Sequence, residues 1–177
     1  MNRGYSERVN FRTQDLVISS LLVALVFIST RSINIRLPIS VNGGLIHLGT
    51  AMLFIAAIVF GKNKGAIAGA FGMGIFDILS GWAAWAPFTF IIRAVMGYIV
   101  GTFAYMGKRN GGSFIFNFLG ILLSSLWMIA GYYIAEVIMY GNLLAPVTSI
   151  PGNVVQIVVG AVIALPISTA LKKTKMF

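Results

Sequence analysis

The stretch Leu45–Leu79, LIHLGTAMLFIAAIVFGKNKGAIAGAFGMGIFDIL, decides the fold. It consists of two apolar runs joined by the short turn Gly61–Gly65, which carries two lysines. Each run is near the lower length limit for a helix that crosses a bilayer. The second run is dense in Gly and Ala, and small residues let neighbouring membrane helices approach closely. The stretch therefore predicts a tight hairpin of two membrane helices, the second of them buried within a bundle.

The rest of the chain has the composition of a membrane protein. Of its 177 residues, 58% are hydrophobic and 10% are charged, whereas a soluble domain of this size needs far more polar surface. The absence of Cys excludes disulfides, thiol chemistry and a cysteine metal site, and with one His no metal site is expected. The net charge is +9, but basic residues flank the apolar runs, which argues against nucleic-acid binding.

Six apolar segments are candidates for crossing a bilayer core of about 30 Å. We predict helices at 15–33, 45–60, 64–79, 87–106, 114–140 and 151–171. The basic N-terminal tail and the run after it resemble a signal peptide, but the run is long and more apolar segments follow, so we expect a retained first helix. No repeat or linker is visible. The expected fold is an all-α integral membrane protein with a single domain, residues 1–177.

The distribution of basic residues predicts the orientation of the helices. Ten Lys and Arg residues fall in the N-terminal tail, the second and fourth connections and the C-terminal tail, whereas the opposite loops contain only Arg31 and Arg36. Cytoplasmic loops carry the excess of Lys and Arg. With six transmembrane helices, both the N and the C terminus are therefore expected to be cytoplasmic.

Four ionisable residues occupy positions that a bilayer disfavours. Asp77, Arg93 and Glu136 interrupt apolar runs, and His47 lies at the start of one. Placing a charge in hydrocarbon costs about 3 kcal/mol or more, so such residues usually pair or line a cavity. The predicted topology places all four in the outer half of the bilayer. This placement favours a bowl-shaped site open to the outside over a pore through the membrane.

Other candidate site residues fall at the same level. Asn153 and Gln156 belong to the first two turns of the sixth helix, and six aromatic residues cluster nearby: Trp82, Trp85, Phe88, Tyr132, Tyr133 and Tyr140. Of these we assign Trp85 and Tyr132 to the site, where they would stack against a flat ring. The alternative is an interfacial aromatic belt. Trp127, near the middle of the fifth helix, is either the floor of the site or a packing residue.

The longest polar outer loop is Asn34–Gly49, NIRLPISVNGGLIHLG. Pro38 and the Asn42-Gly43-Gly44 turn break helical structure, and the residues before them have an extended, alternating pattern. We expect this loop to fold over the site as a lid, with Asn42 at the ligand, or to be an ordinary connector.

The charged residues also have a structural interpretation. Asp77 and Arg93 flank a short loop and could neutralise each other across the third and fourth helices, and His47 could be a satisfied loop residue. Glu136 has no obvious partner near it in the sequence. It is therefore the better candidate for contacting a cationic or hydrogen-bond-donating group of a ligand.

The segment Asn42–Gly101 resembles the substrate-binding S components of energy-coupling factor (ECF) vitamin transporters, in the subgroup with riboflavin-, hydroxymethylpyrimidine- and pyridoxine-type members. The similarity consists of NGG-x-I-x-LG at 42–49, FG-x-x-x-GA at 60–66, Asp77 before a short loop, and Pro87 followed by Arg93. The predicted arrangement of six helices extends the resemblance to the rest of the chain.

The resemblance implies a transport subunit in the cell membrane of a prokaryote, and neither an enzyme nor a cofactor-dependent protein. Such subunits dock through their first helix, by small residues spaced four apart, onto a membrane scaffold subunit that two cytoplasmic ATPase subunits drive. Ser20 and Ala24 fit that spacing. The chain has no GxxxxGK[ST] phosphate loop, so ATP would be used by the partner subunits.

Charges of both signs favour a polar heterocycle as ligand, with pyridoxine or hydroxymethylpyrimidine ahead of riboflavin. A stand-alone secondary transporter is the alternative, against which stand the small size and the absence of inverted halves. An intramembrane enzyme is disfavoured because HExxH and GxSxG motifs are absent.

Overall fold

The computed structural model describes residues 3–36 and 45–174 of the chain, with side chains over 13–34 and 46–174. Within these ranges the chain is almost entirely helical. The helices are α1 Arg3–Ser32, α2 Gly49–Phe60, α3 Lys62–Leu79, α4 Ala86–Tyr105, α5 Phe114–Tyr140 and α6 Ile150–Lys173. In α1, α4, α5 and α6 the chain is long and apolar enough to cross a membrane, whereas α2 is a shorter apolar helix. Six crossings and their orientation remain a prediction.

The prediction that the second helix begins at Leu45 is wrong. Strand β1, Asn34–Arg36, pairs antiparallel with strand β2, Leu45–His47, so that Asn34 lies opposite His47. Helix α2 starts after this pair, at Gly49, where the backbone passes so close to the Thr30 side chain that a Cβ atom would collide with its hydroxyl. Residues 37–44 of the proposed lid, including Asn42, lie outside the described residues.

Helix α2 is the centre of the bundle. It packs against α1, α3, α4 and α6, and ten of its twelve residues are buried. The sequence of α2 is apolar around its whole circumference, which is typical of a helix with no exposed face. The remaining contacts run from α1 to α3, α3 to α4, α4 to α5 and α5 to α6, so these helices surround α2.

The close packing expected for the third helix is confirmed. A Cβ atom on Gly97 of α4 would collide with the backbone of Gly65 in α3, and one on Gly65 would collide with Ala57 of α2. Glycine at these positions lets the three helix backbones come within contact of each other, as in other membrane bundles. Larger side chains would separate the helices that carry the polar residues described below.

The alternating direction of the helices gives the bundle two chemically different ends. We call one the lysine end, which contains Lys62, Lys64, Lys108, Arg109, Lys172 and Lys173. We call the other the network end, which contains His47, Thr50, Asp77, Thr89, Arg93, Tyr132, Glu136 and Gln156. It is formed by the last turns of α3 and α5, the first turns of α2, α4 and α6, and the strand pair.

Candidate binding site

Arg93 occupies the middle of the network end. Its side chain is only 3% exposed, and α4 directs it between α2 and α5. Nε donates to Tyr132 Oη at 3.1 Å, and Nη1 donates to Thr50 Oγ1 at 3.1 Å. Nη1 also lies 3.5 Å from the sulfur of Met96 and 3.4 Å from that of Met128. A buried guanidinium therefore has hydrogen-bond partners on two other helices.

A second group of polar side chains joins Arg93 through Thr50. Gln156 Nε2 of α6 donates to Thr50 Oγ1 at 2.7 Å and lies 3.1 Å from His47 Nε2. Thr50, Gln156 and His47 are all buried. Because buried polar groups are stable only when hydrogen-bonded, these residues fix one another's positions between α2, α6 and β2.

A third contact extends from Arg93 along α4. Tyr132 Oη lies 3.3 Å from Thr89 Oγ1 on α4. Together with the contacts above, this produces one connected series of polar side chains: Thr89, Tyr132, Arg93, Thr50, Gln156 and His47. The series links α2, α4, α5 and α6 with β2, and Asp77 lies at the same end of the bundle in the last turn of α3.

Aromatic rings border this series on the α4 and α5 side. The Trp85 and Tyr132 ring centroids are 6.3 Å apart, as are those of Trp85 and Tyr140. The Arg93 guanidinium carbon lies 5.2 Å from the centre of the Tyr132 ring, within range of a cation–π interaction. Aromatic rings, with interplanar angles of 51° and 56°, therefore lie beside hydrogen-bond donors and acceptors.

Glu136 lies one turn beyond Tyr132 on α5 and is 4% exposed. Its Oε2 accepts a hydrogen bond of 2.9 Å from Ser149 Oγ, at the end of the short 3₁₀ turn Ala145–Ser149 that precedes α6. Tyr140 lies four residues after Glu136, on the next turn of α5. Glu136 therefore holds the entry to α6 beside the aromatic residues.

His47 is electrically neutral in this environment. It lies in β2, outside the helical spans, and burial lowers its pKa to about 3, with the Arg93 charge acting in the same direction. A neutral imidazole ring can accept a hydrogen bond from Gln156 at one nitrogen. His47 therefore contributes hydrogen bonding to the site and no charge at physiological pH.

The structure brings together most of the residues predicted for the site. His47, Trp85, Arg93, Tyr132 and Gln156 belong to one cluster, and Glu136 borders it. Asp77 lies at the same end of the bundle, in the last turn of α3. Asn153 is half-buried on the first turn of α6. Whether any of them binds a ligand remains a prediction. The ion pair between Asp77 and Arg93 stays a prediction.

Sequence reasoning missed four residues of the cluster: Thr50, Thr89, Met96 and Met128. Helical spacing was a usable signal for three of them, because Thr89 and Met96 lie four residues before and three after Arg93, and Met128 lies four before Tyr132. Thr50 had no such signal. It reaches the cluster because α2 begins directly after β2, and the sequence did not predict that boundary.

Two further aromatic residues, Trp127 and Tyr133, hydrogen-bond to backbone carbonyl groups. Trp127 Nε1 donates to the Ile92 carbonyl oxygen at 3.2 Å, which favours packing between α5 and α4 over a role as the floor of the site. Tyr133 Oη donates to the Leu143 carbonyl oxygen at 2.9 Å, in the loop after α5. Over residues 13–34 and 46–174, no group of three or more His, Asp or Glu side chains is arranged to hold a metal ion.

The two predicted docking residues lie on a different surface. Ser20 and Ala24 are exposed on α1, beside the exposed apolar side chains of Leu21, Leu25 and Ile28. Their side of α1 is turned away from α2 and α3, so it is open to lipid or to another protein.

Comparison with known proteins agrees with the resemblance in the sequence. The family model described as ECF-type riboflavin transporter, S component, matches residues 10–173. A protein of Lactococcus lactis subsp. cremoris named thiamine precursor transporter HmpT is 30% identical over 165 residues, which cover 93% of this chain and 92% of that protein. An uncharacterized protein of Pyrococcus woesei is 33% identical over 139 residues, with 78% of this chain and 90% of that protein covered.

A solved structure has the same fold. It is described as "Structure and mechanism of the S component of a bacterial ECF transporter", and it superposes with a TM-score of 0.70 over 94% of this chain and 99% of that one. At 17% identity this similarity establishes the fold alone. The family model, in contrast, spans nearly the whole sequence. The chain therefore belongs to the family of ECF-type riboflavin transporter S components, which are membrane transport subunits and not enzymes.

Proposed function

We propose that the network end captures a small, flat, polar heterocycle, with hydroxymethylpyrimidine favoured and pyridoxine next. The observation that carries this proposal is the connected series from Thr89 to His47 beside the rings of Trp85 and Tyr132. An aminopyrimidine with a hydroxymethyl group has a flat ring to stack, an amino donor and ring-nitrogen acceptors. The site offers matching partners of both kinds within a few ångströms.

The donors and acceptors can be assigned by chemistry. Arg93 supplies N–H groups, whereas Asp77 and Glu136 supply carboxylate oxygens. Sites that offer both donors and acceptors discriminate strongly between ligands, because a ligand that lacks one hydrogen-bonding group leaves a buried polar group of the protein without a partner. The relative from Lactococcus lactis, whose name states a thiamine precursor, supports the same ligand class.

Riboflavin is the second candidate, because the description of the matching family names it. Its three fused rings need a wider apolar slot than a single pyrimidine ring. Equilibrium titration of the purified chain with hydroxymethylpyrimidine, pyridoxine and riboflavin, followed by Trp fluorescence, tests the choice. We expect the tightest binding for hydroxymethylpyrimidine; nanomolar binding of riboflavin alone would overturn the assignment.

We further propose six membrane crossings with both termini in the cytoplasm, which would place the network end at the outer face. The support is the concentration of Lys and Arg at the opposite end of the bundle. The natural chain has no cysteine, so single cysteines can be introduced directly. A membrane-impermeant maleimide should label Leu143→Cys in intact cells and Lys173→Cys only after permeabilisation; the reverse pattern would refute the orientation.

The energy for transport would come from partners. We propose that α1 docks onto a membrane scaffold subunit through the surface around Ser20 and Ala24, and that two ATPase subunits drive the assembly. Ala24→Trp should retain ligand affinity and lose uptake in cells that contain all subunits. Val162→Trp, at an exposed position on α6, is the matched control and should transport normally. Uptake by the chain alone in vesicles would instead indicate a stand-alone transporter.

A further inference from the structure

The lysine end contains a cavity that the proposed function does not use. Its volume is about 620 Å³, and it lies between the beginning of α3, the end of α4 and α1. Its polar lining includes Asp15, Lys62, Lys64 and Thr102, and its apolar lining includes Phe60 and Ile67. The network end lies at the C-terminal end of α3 and the N-terminal end of α4, at the opposite end of the bundle. This cavity is therefore separate from the candidate binding site.

The charge in the cavity is positive. Lys64 Nζ forms a salt bridge of 2.6 Å with Asp15, which neutralises one of the two lysines. Lys62 Nζ donates to Tyr98 Oη at 3.1 Å and lies 4.8 Å from the centre of that ring. Among the described residues no carboxylate pairs with Lys62. An ammonium group has three N–H donors, and the bond to Tyr98 uses one of them, so the cavity suits an anionic group.

The surroundings of the cavity are those of a lipid-facing surface. Ile67 lines the cavity and Phe71 follows one turn later on α3, and both side chains are 40% or more exposed. Tyr98, on the adjacent surface of α4, is 47% exposed. An apolar track therefore leads from the basic cavity along α3 towards the middle of the bundle. A free anion would make no favourable contact with these apolar side chains, whereas the acyl chain of a lipid would bury them.

We propose that this cavity binds the headgroup of an anionic phospholipid, with the phosphate at Lys62 and one acyl chain along Ile67 and Phe71. Basic pockets between membrane helices on the cytoplasmic side are known to bind anionic headgroups. The Asp15–Lys64 pair limits the positive charge of the cavity and so sets the strength of binding. This site does not depend on the identity of the vitamin ligand.

Native mass spectrometry of the full chain tests the proposal with phosphatidylglycerol, phosphatidylcholine or inorganic phosphate added. We expect retention of phosphatidylglycerol over phosphatidylcholine, and a loss of about fivefold in phosphatidylglycerol affinity for Lys62→Gln, the effect of one basic residue near a lipid surface. Lys62→Arg should restore affinity. Asp15→Asn should raise it, because the neutralising carboxylate is gone.

Three outcomes would overturn the lipid site. An equal loss for the matched control Lys173→Gln, an exposed lysine in the last turn of α6, would indicate a general charge effect. Equal retention of phosphatidylcholine would remove the role of headgroup charge, and Lys62-dependent binding of inorganic phosphate alone would indicate a free-anion site. Vitamin titration of Lys62→Gln should match the unaltered chain, which shows that the variant is folded and separates this test from that of the proposed function.

Discussion

The two ends of α2 are held by the same pair of helices through different chemistry. At the lysine end, the Val59 carbonyl oxygen accepts hydrogen bonds from Tyr105 Oη of α4 at 2.7 Å and from Lys172 Nζ of α6 at 2.9 Å. A helix always leaves its last carbonyl groups without partners inside the helix. These contacts satisfy a backbone group that any sequence of α2 would have, so their role is structural.

At the network end, the contacts to α2 are made to a side chain. Thr50 Oγ1 accepts from Arg93 of α4 and from Gln156 of α6. Apolar residues at these three positions would need no hydrogen bonds and would avoid the cost of burying a guanidinium group. The fold alone therefore does not require this network. On the proposed function, one end of α2 is polar for stability and the other for binding.

The largest effect should come from removing the charge at the centre of the network. Arg93→Gln is expected to weaken ligand binding by about 100-fold, because a hydrogen bond to a charged group contributes about 1.5–3 kcal/mol and buried partners lose theirs. Titration of the purified variant measures this. Arg109→Gln, which removes an exposed arginine at the lysine end, is the control. Equal losses of ligand affinity in the two variants would show that the two ends of the bundle do not differ in their role in binding.

A smaller effect is expected from a single hydroxyl group. Tyr132→Phe removes the group that joins Arg93 to Thr89, and ligand affinity should fall by about tenfold, the equivalent of one neutral hydrogen bond. Tyr133→Phe removes the neighbouring hydroxyl, which bonds the Leu143 carbonyl oxygen. The ligand affinity of the Tyr133→Phe variant should be unchanged. If the two variants bound the ligand equally well, Tyr132 would lie outside the site.

A substitution at the lysine end should change the free energy of unfolding and leave ligand affinity unchanged. Lys172→Met removes a donor to the end of α2 and should lower the free energy of unfolding by about 1–2 kcal/mol, while ligand affinity stays within twofold. Thermal unfolding in detergent and a parallel titration measure the two quantities. Lys173→Met, at the adjacent exposed position, should change neither. A loss of affinity in Lys172→Met would show that this end also belongs to the binding machinery.

The smallest effect concerns pH. The pKa of His47 is lowered to about 3 by burial and by Arg93, so its ring stays neutral from pH 5 to 8 and takes up no proton there. The pH profiles of ligand affinity for the unaltered chain and for His47→Gln should therefore be parallel over this range. A step near pH 6.5 that disappears in His47→Gln would contradict the neutral assignment.

The sequence was informative about the helices and poor at the strand pair. Helix α4 was predicted at 87–106 and runs from Ala86 to Tyr105, because Pro87 and a long apolar run define it. The start of α2 was misplaced, since Leu45–His47 is apolar enough to continue a helix. Its pairing with Asn34–Arg36 is a tertiary contact that local propensity does not encode.

The same limit applies to the site. Charge within an apolar run was sufficient to single out Arg93 and Glu136, which the structure buries at the network end, because such residues are rare enough to stand out. Thr50 and Thr89 were not identified, because single threonines in membrane helices are common and usually bond their own backbone, as Thr102 does with Tyr98. Only the packing of α2 between α4 and α6 distinguishes Thr50 from such residues.

The most direct test of the account is to locate the ligand. A photoreactive hydroxymethylpyrimidine analogue can be crosslinked to the purified chain and the modified peptides mapped, with unlabelled ligand as competitor. The account predicts competable labelling at the network end, in the segments around Trp85, Tyr132 and Gln156. Competable labelling confined to the lysine end, around Lys62 or Lys172, would contradict it.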